Sequence, residues 1–232
     1  MRYLQIFVLV LLLSSFVFTQ ELSRADKIQK INDLRSQIGV LEKEIIQPDA
    51  KDAALAAKRG VNVIRLLPRE KYDGVLATRG GGSYYSFVRK NQEYGRGSDL
   101  GLEQGFLKVG FAGADYGFIY DLGEETRLEN VTKDTNEAFF LVSYKPPSKE
   151  PEVRKEQRNS LEYEINGLTY KSRVTSTVGH TYLLRSISFD DSDILVAFTV
   201  SRKDADGSLI IFWKTIENFE KPMLARSEVA EK

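Results

Sequence analysis

The 232-residue sequence predicts a mainly β protein, an antiparallel sandwich or barrel-like body behind an N-terminal α-helical, short coiled-coil segment. Three observations predict it. Aromatic residues are absent from 20–60 and then crowd the chain from Tyr72 to Phe219. Twelve of the seventeen glycines fall between Gly74 and Gly123, a density that helices of ordinary length do not tolerate. The last third is built of apolar runs separated by short acidic turns, the pattern of an antiparallel meander.

The first 20 residues, MRYLQIFVLVLLLSSFVFTQ, combine Arg2 with an apolar run from Leu4 to Leu13 that resumes at Phe16–Phe18. That order is the shape of a secretory signal peptide. The run is short for a membrane span of about 20 apolar residues, which favours a cleaved signal over an uncleaved signal anchor. The chain is therefore expected to be exported, to the periplasm or outside the cell, and membrane association is expected only if the segment stays uncleaved. The absence of cysteine fits a bacterial exported protein better than a disulfide-stapled eukaryotic module. Asn130-Val131-Thr132 matches a glycosylation acceptor, which matters only in a eukaryotic secretory pathway.

Residues 21–59 read as helical. Ile31, Leu34, Ile38, Leu41 and Ile45 recur at 3,4,3,4 spacing between charged residues, the a/d pattern of a coiled coil. Such a stripe has two uses: a seam with a second copy of the chain, or a face laid on the protein's own β body. Pro48 interrupts the first helix. The Ala-rich run Asp49–Arg59 continues it, and Gly60 stands where a C-terminal cap glycine belongs.

Residues 60–222 form the β-rich domain. Val61–Leu66, Tyr84–Val88, Phe106–Phe111, Tyr116–Tyr120 and Glu137–Tyr144 read as strands. Residues 145–160 hold three of the six prolines and read as an exposed loop. Thr181–Phe189, Ile194–Lys203 and Ser208–Ile216 form the meander, with turns at Asp190–Asp193 and at Asp204–Gly207. These strands are apolar on both faces and belong in the middle of a packed structure. Residues 223–232 read as a disordered tail.

Composition excludes several functions. With 33 basic and 33 acidic residues the chain lacks the positive field of a nucleic-acid binder. No cysteine and a single histidine, His180, exclude thiolate chemistry and multi-histidine metal sites. The two acidic turns lack the spacing of a calcium loop, and no cofactor motif is present. Arg79-Gly80-Gly81-Gly82-Ser83 offers backbone amides, but no Lys or helix follows as a phosphate cradle requires, so it reads as a hairpin loop. Asp115, Asp121, Glu124 and Glu125 are clustered carboxylates with no pair singled out.

The remaining candidate is a binding surface made of Arg79, Tyr84, Tyr85, Arg89, Tyr94, Arg96, Tyr116 and Tyr120. Tyr and Arg carry both apolar area and hydrogen-bond donors. Its rival is that the tyrosines fill the β core. The reading that results is a non-catalytic interaction or structural protein. A ligand-binding barrel or sandwich is the alternative, and a carboxylate-dependent hydrolase the weaker one.

Overall fold

A computed structural model describes residues 22–225. Residues 1–21, which hold the expected signal segment, and residues 226–232 lie outside the described residues. The chain divides after Val40 into two units, Met1–Val40 and Leu41–Lys232.

Helix α1 runs Arg24–Ile46 and carries the heptad stripe. Ser23 and Asp26 cap its start: the Asp26 amide donates to Ser23 Oγ at 3.2 Å, and the Ser23 hydroxyl donates to the Asp26 carboxylate at 2.7 Å. Helix α2 (Ala50–Arg59) ends on Gly60 in the left-handed conformation, as its sequence predicts. Asp52 fixes α2 to the body through a two-pronged bond with Arg202 at 2.8 and 2.9 Å.

The body is antiparallel. Its main sheet has the order β1-β11-β10-β9-β5, with β1 Asn62–Leu66, β5 Tyr116–Gly123, β9 Thr181–Ser188, β10 Ser192–Lys203 and β11 Leu209–Asn218. The second sheet has the order β2-β3-β4-β8, formed by Tyr84–Tyr85, Leu100–Glu103, Phe106–Lys108 and Arg173–Thr175. A hairpin of β6 (Tyr163–Ile165) and β7 (Leu168–Tyr170) completes it. Each sheet is open, with two different edge strands, so no barrel closes among the described residues.

The main sheet is covered on both faces, which is why its strands are apolar on both. Val196, Phe198 and Val200 of β10 and Leu209, Ile211 and Trp213 of β11 point into one core with Tyr85, Leu100, Leu102 and Leu107 of the second sheet. Leu195, Ala197, Leu183 and Phe212 point the other way, into a core completed by Ala56 of α2 and by Phe140, Leu141 and Val153.

Those last three residues correct two readings. Glu137–Tyr144 is not a strand: a 3₁₀ turn (Asn136–Ala138) leads into helix α4 (Phe139–Ser143), burying Phe140 and Leu141 and exposing Phe139. Residues 145–160 are not all loop. Glu150–Asn159 is a helix, α5, entered through Pro151 and anchored by buried Val153. The described part of the tail is also fixed: the Ala225 amide donates to the Ser148 carbonyl at 2.8 Å.

The turn at Asp204–Gly207 has the shape its sequence predicts. Gly207 sits at φ 91°, its amide donates to the Asp204 carbonyl at 2.9 Å, and Asp206 accepts from both the amide and the hydroxyl of Ser208. A Cβ on Gly207 would lie 3.3 Å from Pro68. Gly207→Val therefore combines a disfavoured backbone with a crowded neighbour. It is expected to cost about 1–2 kcal/mol, seen as a lowered thermal midpoint; an unchanged midpoint would contradict it. The other turn is shorter than its acidic run. Asp190 and Asp191 form it, with Asp190 at φ 58°, whereas Asp193 is buried inside β10.

Candidate functional site

The eight Tyr and Arg candidates do not form one surface. Tyr84, Tyr85 and Tyr116 are buried, Tyr94 and Tyr120 are half-buried, and Arg79, Arg89 and Arg96 are exposed. Tyr85 stacks edge-on with Phe87 and Trp213 in the core. Tyr84 donates to Glu103, whose carboxylate is shared with Arg69 and Lys108. Tyr116 bonds the Tyr144 hydroxyl at 2.9 Å, and Tyr144 donates to Glu156 of α5 at 2.7 Å. These three tyrosines are core residues because the short strands that carry them are covered on both sides.

The arginines meet acidic turn residues and an aromatic ring. Arg89 pairs with Asp191, Arg96 pairs with Asp190 at 3.3 Å, and Arg79 lies over the Tyr94 ring at 5.4 Å. The acidic turn thus holds the Gly-rich loop. The Arg79–Ser83 loop is not a hairpin loop either: it leads from the short helix α3 (Arg69–Tyr72) into β2, with glycines 80–82 all at positive φ. The amides of Gly81 and Ser83 donate to the Thr78 and Gly80 carbonyls, so they are already engaged within the turn.

Two carboxyls in this region are displaced upward. Asp99 is fully buried; its Oδ2 accepts from the Phe87 amide at 2.7 Å and its Oδ1 has no partner. Burial pushes its carboxyl up to about 6. Burial pushes Asp115 up to about 6 as well. Asp115 and Asp121 line different concavities, so they do not face each other across one cleft.

An open cleft of about 620 Å³ lies between β5 and the β7–β8 segment. Phe106, Tyr120, Asp121, Lys171 and Arg173 line it, with Arg173 resting on the Phe106 ring at 3.5 Å. It is open and charged, unlike a closed aromatic-lined pocket. Beside it, His180 Nδ1 lies 3.0 Å from both carboxylate oxygens of Asp121. Among the described residues no Ser or Thr hydroxyl bonds to that ring.

The most distinctive surface is on α1. Ile31, Leu34 and Ile38 are 46–47 % exposed, Leu41 is 58 % and Ile45 is 39 %, with Ile28 beside them at 55 %. These aliphatic side chains repeat on one face of the helix and are in contact with water. Among the described residues no helix is long and apolar enough to cross a membrane. Comparison with protein-family models, curated proteins and solved structures finds nothing that matches the chain.

Proposed function

We propose that this is an exported, non-catalytic interaction protein, periplasmic or extracellular, whose copies join through the heptad face of α1 and display a two-sheet β sandwich. The observation that carries the reading is the exposed stripe Ile31, Leu34, Ile38, Leu41 and Ile45. A seam between two copies covers ten such side chains, each already about half out of contact with water. At roughly 1 kcal/mol for each remaining half, the gross gain is on the order of 10 kcal/mol. Association costs roughly 4–15 kcal/mol, so the expected product is a dimer that dissociates on dilution. The apolar N-terminal run, which has the order of a signal peptide, supports export.

Sedimentation of residues 21–232 at rising concentration tests the reading, with a monomer-to-dimer shift as the expected result. Leu34→Asp with Leu41→Asp would bury charge in the seam and is expected to abolish the dimer, leaving the thermal unfolding of the β body unchanged. A protein that stays monomeric at every concentration contradicts the reading.

A further inference from the structure

The flanks of the exposed stripe carry a pattern that depends on chain direction. With Ile31, Ile38 and Ile45 at heptad position a and Leu34 and Leu41 at d, the g positions are Lys30, Gln37 and Glu44. The e positions are Ile28, Arg35 and Glu42. In a parallel pair each g residue faces the partner's e residue five positions on. Lys30 would then face Arg35 twice, once on each side, and Gln37 would face Glu42. Both fully charged contacts are repulsive.

In an antiparallel pair g faces g and e faces e. Full overlap sets Ile31 across from Leu41 and Leu34 across from Ile38. Lys30 then faces Glu44 at each end of the g side, two attractive contacts, and one like pair remains on the e side, Arg35 with Arg35 near the two-fold axis. The whole helix is polarised in the same sense. Arg24, Lys27, Lys30 and Arg35 outnumber Asp26 and Asp33 in its first half, whereas in its last turns Lys43 is balanced by Glu44 and Glu42 is turned away from the seam. Head-to-tail pairing keeps the two positive first halves apart and also opposes the two helix dipoles. Glu42 is withdrawn from either arrangement, because its carboxylate accepts from the Ala77 and Thr78 amides and the Thr78 hydroxyl.

We infer that the partner seated on the α1 stripe is a second copy of this chain running antiparallel, with Ile31 against Leu41 and Lys30 paired to Glu44. This rests on the self-association proposed above and adds the direction and register of the seam.

The chain has no cysteine, so single introduced thiols report on direction alone. Ile31→Cys and Leu41→Cys, oxidised separately and then as an equal mixture, are the probes. In the antiparallel register two copies of residue 31 lie about 15 Å apart along the axis, beyond the roughly 7 Å that a disulfide spans. The expected result is a crosslinked dimer from the mixture at several-fold higher yield than from either variant alone. If each variant crosslinks to itself as well as the mixture does, the helices are parallel and the inference fails while self-association stands. If sedimentation shows a dimer and neither variant nor mixture crosslinks, the register is wrong and the inference fails. If the unmodified protein sediments as a monomer, both proposals fall. Lys30→Glu is expected to weaken the dimer, and Glu44→Lys in the same chain to restore it. Loss without restoration also counts against the pairing.

Discussion

Asp193→Ala is expected to destabilise the protein by about 3–5 kcal/mol, the largest loss from any single side chain outside the apolar cores. Asp193 on β10 and Arg185 on β9 are about 1 % and 2 % exposed, and they are joined by two bonds, Nε to Oδ1 at 2.9 Å and the second nitrogen to Oδ2 at 2.7 Å. The remaining guanidinium nitrogen donates to the carbonyls of Leu141 and Tyr144, the end of α4. The Phe219 ring lies 3.8 Å from the guanidinium carbon. Arg185 thus joins the sheet to the helix that covers it.

The two partners differ in what remains when one is removed. A guanidinium does not deprotonate, so Asp193→Ala strands a full charge in the core at any pH. A stranded carboxyl can protonate, and burial already pushes Asp193 upward. Arg185→Met is therefore expected to be the milder change, and milder still at pH 5 than at pH 8. Arg185→Met with Asp193→Leu is expected to recover much of the loss, because an apolar pair of similar volume carries no desolvation cost. Urea denaturation with unchanged slope measures all three. A loss below about 1 kcal/mol for Asp193→Ala would show that the pair is not the tie described here.

The sequence holds a signal for this pair that the assignment of Asp193 to a turn passed over, whereas much of the sheet around it is legible. Arg185 and Asp193 share parity with Leu183, Leu195 and Ala197, which places both on one buried face of neighbouring strands. Opposite charges so placed must pair, because a lone buried charge is too costly. The meander itself is legible because alternation records which side of a strand is covered, and Gly60 and Gly207 mark positions that favour glycine. Asn166-Gly167, at φ 54° and 76°, is the standard residue pair for a two-residue hairpin, a signal for β6–β7 that the sequence reading passed over.

Other features are not recorded locally. The run AFFLV of α4 is uniformly apolar, and periodicity cannot separate a short buried strand from a short buried helix. Pairings such as Val63 with Phe212 or Phe118 with Arg185 join residues far apart in sequence, so no window of residues contains them. The same limit hid the His180–Asp121 contact. It also made Tyr84 and Tyr85 look like a surface, since adjacent residues on a strand point opposite ways and the covers over both faces come from elsewhere in the chain.

The protein is expected to grow more stable as pH falls from 8 to about 4.5, with Asp99 as a principal cause. The group has an ordinary value of 3.8 and a folded value of about 6, raised chiefly by burial. Its protonated form is therefore the one the fold prefers. Below pH 4 the carboxyl is neutral in both folded and unfolded chains, and the stability it permits is fully present. Between pH 4 and 6 the unfolded chain ionises first and stability falls; above 6 the loss is complete. About two units at roughly 1.4 kcal/mol each set the change near 3 kcal/mol. Asp115 acts in the same direction. Two other carboxyls set the acid limit. The Arg202 bond holds Asp52 below its ordinary value. For Asp206, burial is outweighed by bonds from Ser208 and Tyr72, which hold it well below as well. Their contribution is lost as pH falls below about 4, so stability turns over there. Asp99→Asn keeps an oxygen for the Phe87 amide and removes the charge. It is expected to raise stability at pH 7.5 by 1 kcal/mol or more and to change little at pH 4.5. Urea midpoints of the parent and the Asn variant at the two pH values decide it. A parent equally stable at both, with a variant weakened at both, would mean that Asp99 is held as a carboxylate and that its unpartnered oxygen is solvated.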